Sequence, residues 1–238
     1  MPKVQPAPTV SIAGSRSENR AARARRGGRP SKEAAPQLEA KILEVATSLF
    51  LAEGYGATTI EAIATRAGVS KRTLYHRYAD KSALFAAVVG RIIEQVRPPP
   101  DVPLLEGTTL EDVLRRLALL ILKAALSPPA LALHRLVIAE AARFPDLGRA
   151  LSKVGGEQEG VALIGGLLQR ELPPGSMSAA DAAFAAGQFL QLVVTVPQRR
   201  AMGHGTPMSP AEHEAWADRV VRLFLRGCLG WPGSAAPQ

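Results

Sequence analysis

The chain has 238 residues, 47% hydrophobic and 21% charged, a balance that suits folded structure with a real core and excludes a wholly disordered polymer. Its one cysteine, Cys228, excludes an intrachain disulfide framework or a cysteine zinc cluster, and no uninterrupted apolar run approaches the roughly 18 residues of a membrane span. The formal net charge of +8 is unevenly placed: residues 1–35 carry 8 basic and 2 acidic side chains, 36–97 carry 8 and 6, and 98–238 carry 13 of each, so the N-terminal part is the part suited to a polyanion.

Residues 1–35 are rich in Pro, Ala, Ser and Arg and lack a sustained apolar period, which predicts a disordered basic arm. Within it Arg25, Arg26 and Arg29 suit the negative potential of a narrow minor groove, or simple phosphate contact. The arm has no apolar region of the secretory kind, and a reducing cytoplasm is the expected setting. From Pro36, the apolar positions Leu38, Ile42, Val45, Ala46, Leu49 and Phe50 repeat at helical spacing until Gly54 stops the helix.

Thr58 is expected to cap a second helix, with Glu61 closing a capping box. Ile60, Ile63, Ala64 and Ala67 give that helix an apolar stripe, Gly68 supplies a left-handed corner, Val69 fills it, and Ser70 caps a third helix. Leu74 and Tyr78 then face inward. This leaves Lys71, Arg72, Thr73, Tyr75, His76 and Arg77 pointing outward, with Thr59 and Ser70 at the helix starts. Cations for phosphates beside hydroxyl, imidazole and guanidinium groups for base edges make a helix-turn-helix suited to a DNA major groove. Asp80 opens a fourth helix through Leu84, Phe85, Val88, Val89, Ile92 and Ile93, which ends at Arg97 before three prolines.

The spaced set Gly54, Tyr55, Thr58, Thr59, Ile63, Ala64, Ala67, Gly68, Val69, Ser70, Thr73, Leu74, Tyr75, Lys81 and Leu84 resembles the TetR family of bacterial transcriptional regulators, over about residues 37–96. Arg72 stands where the family often has glycine, and Arg77 and Tyr78 where it often has an aromatic or histidine and then Phe; both changes keep the helix and add charge. Glu140–Leu151, EAARFPDLGRAL, is similar to the C-terminal domain of the AefR-like branch. The resemblance implies a sequence-specific, ligand-responsive repressor that binds a pseudo-palindromic operator in double-stranded DNA as a homodimer, with Lys81 clamping a phosphate. It also implies a small, largely apolar effector that enters the C-terminal helices and shifts the fourth helix, and pairing of subunits through the last two long helices.

The rest of the chain reads as helices. Thr108 with Glu111 is expected to open one running to about Ser127, broken by Pro128 and Pro129; Leu131–Arg143 follows, then Phe144–Val154. Gly155 and Gly156 precede a helix ending near Glu171, Ser178 with Asp181 opens a long one to about Val196, and Ser209 with Glu212 opens the last, with Trp216, Val220, Leu223 and Phe224 on one side. The expected fold is all-α: a disordered arm over 1–35, a three-helix DNA-binding domain with its linking fourth helix over 36–97, and a bundle for ligand binding and dimerisation over 98–238.

Phe184, Val220 and Phe224 are candidates for the pairing face. Gln188, Gln191 and Thr195 form a polar stripe that either lines a cavity or bonds across a dimer, and the dimer is favoured. His134, Arg135 and Glu140 are candidates for a ligand pocket. His204 and His213 suggest no metal site. No Ser/His/Asp set, carboxylate pair or phosphate loop has credible spacing, so neither catalysis nor a cofactor is expected. A DNA-organising protein of the same fold without small-molecule control would share every one of these motifs.

Overall fold

The computed structural model describes residues 34–99, 101–154 and 156–229; Arg25, Arg26 and Arg29 of the basic arm lie outside them. Contacts divide the chain into two compact units, Met1–Ala40 and Lys41–Gln238, and the second holds the fold from Lys41 onward. The described residues form ten helices and no strand: α1 (Ala34–Glu53), α2 (Ile60–Ala67), α3 (Lys71–Arg77), α4 (Lys81–Val96), α5 (Leu110–Ala125), α6 (Pro128–Glu140), α7 (Pro145–Val154), α8 (Glu157–Glu171), α9 (Ala179–Ala201) and α10 (Pro210–Leu229).

In the N-terminal region Ile42, Leu49 and Phe50 of α1, Ile63 of α2, Leu74 of α3 and Leu84 and Phe85 of α4 are fully buried together. Phe50, Tyr55 and Phe85 stack and cross with ring centroids 5.3 to 5.5 Å apart, an arrangement that adds to the burial of their surface. The C-terminal core is assembled from α5, α8, α9 and α10 around Leu114, Leu122, Leu168 and Phe189. There α8 and α9 pack closely, and a Cβ on Gly165 would reach ordinary contact with the Ala182 carbonyl, 3.4 Å away.

Two helix starts, those of α2 and α5, differ from expectation by one residue, each at a Thr-Thr pair, and α6 starts three residues early. The cap of α5 is Thr109, which accepts from the Asp112 N–H while the Asp112 carboxylate accepts from the Thr109 N–H; Thr108 donates to the same carboxylate. In a Thr-Thr pair the second can close a capping box with an Asp, and spacing to Glu111 alone pointed to the first. Pro128 and Pro129 belong to the first turn of α6, where the missing N–H costs nothing.

The largest difference is in α9, which continues through Pro197 to Ala201. Proline cannot donate to the carbonyl one turn back, and that carbonyl, Val193 O, accepts instead from Trp216 Nε1 of α10 at 3.0 Å. A distant tryptophan thus replaces the missing rung and the helix runs on.

Candidate nucleic-acid interface and apolar cavity

The first cap of the helix-turn-helix is Thr59, whose hydroxyl accepts from Ala62 N at 3.1 Å; Thr58 does not cap. Thr58 is fully buried, with its hydroxyl donating to Gly54 O at 2.7 Å and the Leu49 carbonyl at 3.2 Å. It therefore welds the end of α1 to the start of α2. Glu61 closes no box either: it pairs with Lys71 across the corner, and the hydrogen bond from Lys71 holds its carboxyl below the ordinary value.

The corner itself is as expected. Gly68 has φ of 71°, the left-handed conformation that penalises a Cβ, and Val69 N closes back on Ala64 O at 2.9 Å. Ser70 accepts from Thr73 N at 3.1 Å, and its hydroxyl shares a second bond of 2.8 Å with the Thr73 hydroxyl. With Leu74 buried beneath, Lys71, Arg72, Tyr75 and His76 are exposed, whereas Thr73 and Arg77 are half-buried. Tyr75 is 47% exposed and Lys71 Nζ stands 5.7 Å from its ring centre, so the α3 face presents an aromatic edge among cations.

Lys81, at the first turn of α4, is half-buried and folds onto the turn that precedes α2. Its ammonium donates to Thr58 O at 2.7 Å and Gly56 O at 3.3 Å and lies 4.4 Å from the Tyr55 ring centre. Burial pushes its pKa down, against the opposing pull of Glu140. Two of its three N–H groups are thus committed to the turn that precedes α2.

That turn is held from the other side by Glu140, at the end of α6. One carboxylate oxygen accepts from Tyr55 N at 2.6 Å and the other from Gly56 N at 2.7 Å. Glu140 was expected in a ligand pocket; its carboxylate is instead committed to the backbone of the DNA-binding region. Phe144 adds a ring contact to Tyr55 at 5.2 Å.

Between α4, α5, α6, α8 and α9 lies a cavity of about 650 Å³. Its wall is mostly aliphatic, with Ile92 of α4, Leu117 and Ile121 of α5, and Leu133 of α6, and its polar groups include His134 and, from α9, Gln191 and Thr195. Burial lowers the His134 pKa, which favours a neutral imidazole with one donor and one acceptor. At the rim Arg97 pairs with Glu159 at 2.8 Å and with Glu94 at 3.5 Å.

Of the expected pocket residues only His134 reaches this space. Arg135 is exposed on another face of α6 and donates to Ala201 O at 3.0 Å. Gln188, Gln191 and Thr195, favoured for a dimer contact, are all exposed, and Gln191 and Thr195 also stand on the cavity wall, joined by Gln198 one turn further on. Val220 and Phe224 do not supply an outer face: they fill the chain's own core, at 4% and 6% exposure. Phe184 and Leu192 of α9 and Leu223 of α10 are the large apolar side chains exposed there, at 57%, 39% and 63%. Among the described residues no group of His, Cys, Asp and Glu is arranged to hold a metal ion.

A capped, cationic helix-turn-helix, joined to a helix that also walls an apolar cavity, defines a DNA-binding regulator with a hollow helical body. The chain belongs to the TetR family of bacterial transcriptional regulators, a family of regulators and not of enzymes. Residues 42–88 match bacterial regulatory proteins of the tetR family, and residues 112–227 match the C-terminal domain of AefR-like transcriptional repressors. The fold is similar to that of a TetR-family transcriptional regulator from Mesorhizobium loti, with 33% identity and a TM-score of 0.64 over 81% of this chain and 96% of that one. It is also similar to the flavonoid-responsive regulator FrrA, with 27% identity and a TM-score of 0.68 over 84% of this chain and all of the other (100%). An uncharacterized HTH-type transcriptional regulator of Mycobacterium tuberculosis is 30% identical over 142 residues, 60% of this chain; the chain spans 66% of that relative's length.

Proposed function

We propose that the protein is a cytoplasmic, homodimeric repressor that binds a pseudo-palindromic operator through two copies of α3 and releases it when a small, largely apolar molecule occupies the cavity. The observation that carries this reading is that α4 serves both ends: its first turn holds the base of the helix-turn-helix through Lys81, and its last two turns wall the cavity through Ile92 and Val96. A ligand needs only to bind one spacing of the two recognition helices better than the other; a hundredfold preference amounts to about 2.7 kcal/mol. The wall suits an uncharged molecule with an apolar body and a few hydroxyl or carbonyl groups for His134, Gln191 and Thr195. Phe184 and Leu223 belong to the pairing face in this reading, and the basic arm adds phosphate contacts.

The test begins with duplexes selected from a random library by the full chain. Anisotropy should then give a preference of at least a hundredfold for the selected duplex over random competitor, with the bound unit a dimer. Because FrrA is described as flavonoid-responsive, the flavanone naringenin is the first probe, followed by a library of neutral apolar compounds. A compound that raises the unfolding midpoint should also weaken the selected complex. Arg72→Ala should relax discrimination at particular base pairs, whereas Tyr75→Ala should weaken binding to all duplexes alike. Preference-free binding with no compound acting on it would replace this reading with that of a DNA-organising protein.

A further inference from the structure

In the Gly54–Thr58 segment the Gly54 and Thr58 N–H groups bond locally, to Phe50 O and Gly54 O, but the two amides between them that carry the turn do not. The Tyr55 and Gly56 N–H groups both go to a carboxylate 84 and 85 residues further along the chain, and the Gly56 and Thr58 carbonyls both receive the Lys81 ammonium. Room is left for this. A Cβ on Gly54, where φ is 88°, would stand 2.5 Å from one Glu140 oxygen, and one on Gly56 would stand 3.1 Å from the other. Bonds from backbone N–H groups to a carboxylate are about twice as strong as neutral ones, so this is a grip and not a passing contact.

The two gripping residues ride on different helices, and both helices wall the cavity. On α6, Glu140 shares a face with Leu133, about two turns or 10 Å away along the axis. On α4, Lys81 stands about 16 Å before Ile92. Anything wedged between α4 and α6 that moves one against the other cannot leave both grips in place. The turn must follow either Lys81 or Glu140, and α2 and α3 start from that turn.

We propose that Glu140 is the coupling residue of this regulator: its carboxylate passes displacement of the cavity-lining α6 to the turn that seats the helix-turn-helix. This is a positioning role, distinct from contact with ligand or DNA, and it rests on the ligand-response reading above. A purely structural Glu140 would stabilise the fold equally whatever the cavity holds.

The test uses substitutions that fill the cavity as a built-in ligand, so that no effector need be known. Ala124→Phe and Ala130→Phe place a ring in the lining, and each is measured by anisotropy on the selected duplex in the wild-type chain and in Glu140→Gln. In the wild-type chain a filler should change duplex affinity at least tenfold; in Glu140→Gln the same filler should change it less than threefold. Glu140→Gln alone should speed hydrogen exchange at the Tyr55 and Gly56 amides at least tenfold. Glu140→Asp, too short to reach both amides, serves as the second variant if Glu140→Gln does not fold. Equal filler effects with and without the carboxylate would overturn the coupling role while sparing ligand response. Fillers that are accommodated yet leave affinity unchanged in the wild-type chain would overturn both.

Discussion

The two halves of the Lys41–Gln238 unit cap their helices alike but join them differently. Caps come from within a few residues in both: Thr59 for α2, Ser70 for α3 and Asp80 for α4 on one side, Thr109 for α5 and Ser178 for α9 on the other. The DNA-binding region sets its caps around a core of branched and aromatic side chains. In the C-terminal half the decisive contacts are long-range. Trp216 repairs α9, Arg115 of α5 pairs with Asp218 of α10, and the packed core of Phe189 adjoins a cavity left open. The difference teaches that the corner of the helix-turn-helix is set by local rules, while the turn that seats it and the regulatory half depend on contacts that a shift between helices can alter.

The strongest way to break this comparison lies within the C-terminal half. Phe189→Ala should cost about 3–5 kcal/mol in urea unfolding, the price of a large void in close packing, whereas Ile121→Ala, which only enlarges an existing cavity, should cost well under half of that. Equal losses would mean that the cavity collapses when the protein is in solution.

Next in size is the α9 repair. Trp216→Phe removes the donor to Val193 O and should cost about 1–2 kcal/mol; Pro197→Ala restores the helix's own donor, so in that background the same substitution should cost less. Additive effects would show that the indole bond is incidental. The local half supplies a smaller figure, since Thr59→Ala should cost about 1 kcal/mol through loss of the α2 cap.

The smallest effect is a pH dependence at the cavity. His134 has its pKa lowered by burial, so the unfolded chain binds the proton more readily than the folded one. Its contribution to stability is complete above the unfolded value of 6.5 and is lost as pH falls from there through the lowered folded value. Melting of His134→Phe against the wild-type chain between pH 7.5 and 5 should show the variant losing less stability on acidification.

These contrasts also explain what could be read from the chain alone. The helix-turn-helix was legible nearly residue by residue, because Gly68, Ser70 and Leu74 act through neighbours three or four positions away. The misplaced Thr58 came from two adjacent threonines that local spacing does not separate; only the fold reveals that one is buried. Glu140 and Trp216 were illegible in their roles. Each acts on backbone groups with no side-chain signature, in one case 84 residues off and in the other 23. The polar stripe of α9 was visible as a stripe, but periodicity says which residues share a face and not what that face meets.

The Lys71–Glu61 ion pair bears on how a chain of net charge +8 avoids clinging to nucleic acid indiscriminately. A phosphate that recruits Lys71 must first displace a tethered carboxylate, which is then left beside a polyanion. The pair is exposed, where an ion pair contributes little, so in the proposed role that exchange would gain little on arbitrary duplex. Only where neighbouring groups of α3 also find base partners does the trade turn favourable, so an acidic side chain that never touches DNA would widen the gap between correct and incorrect sites.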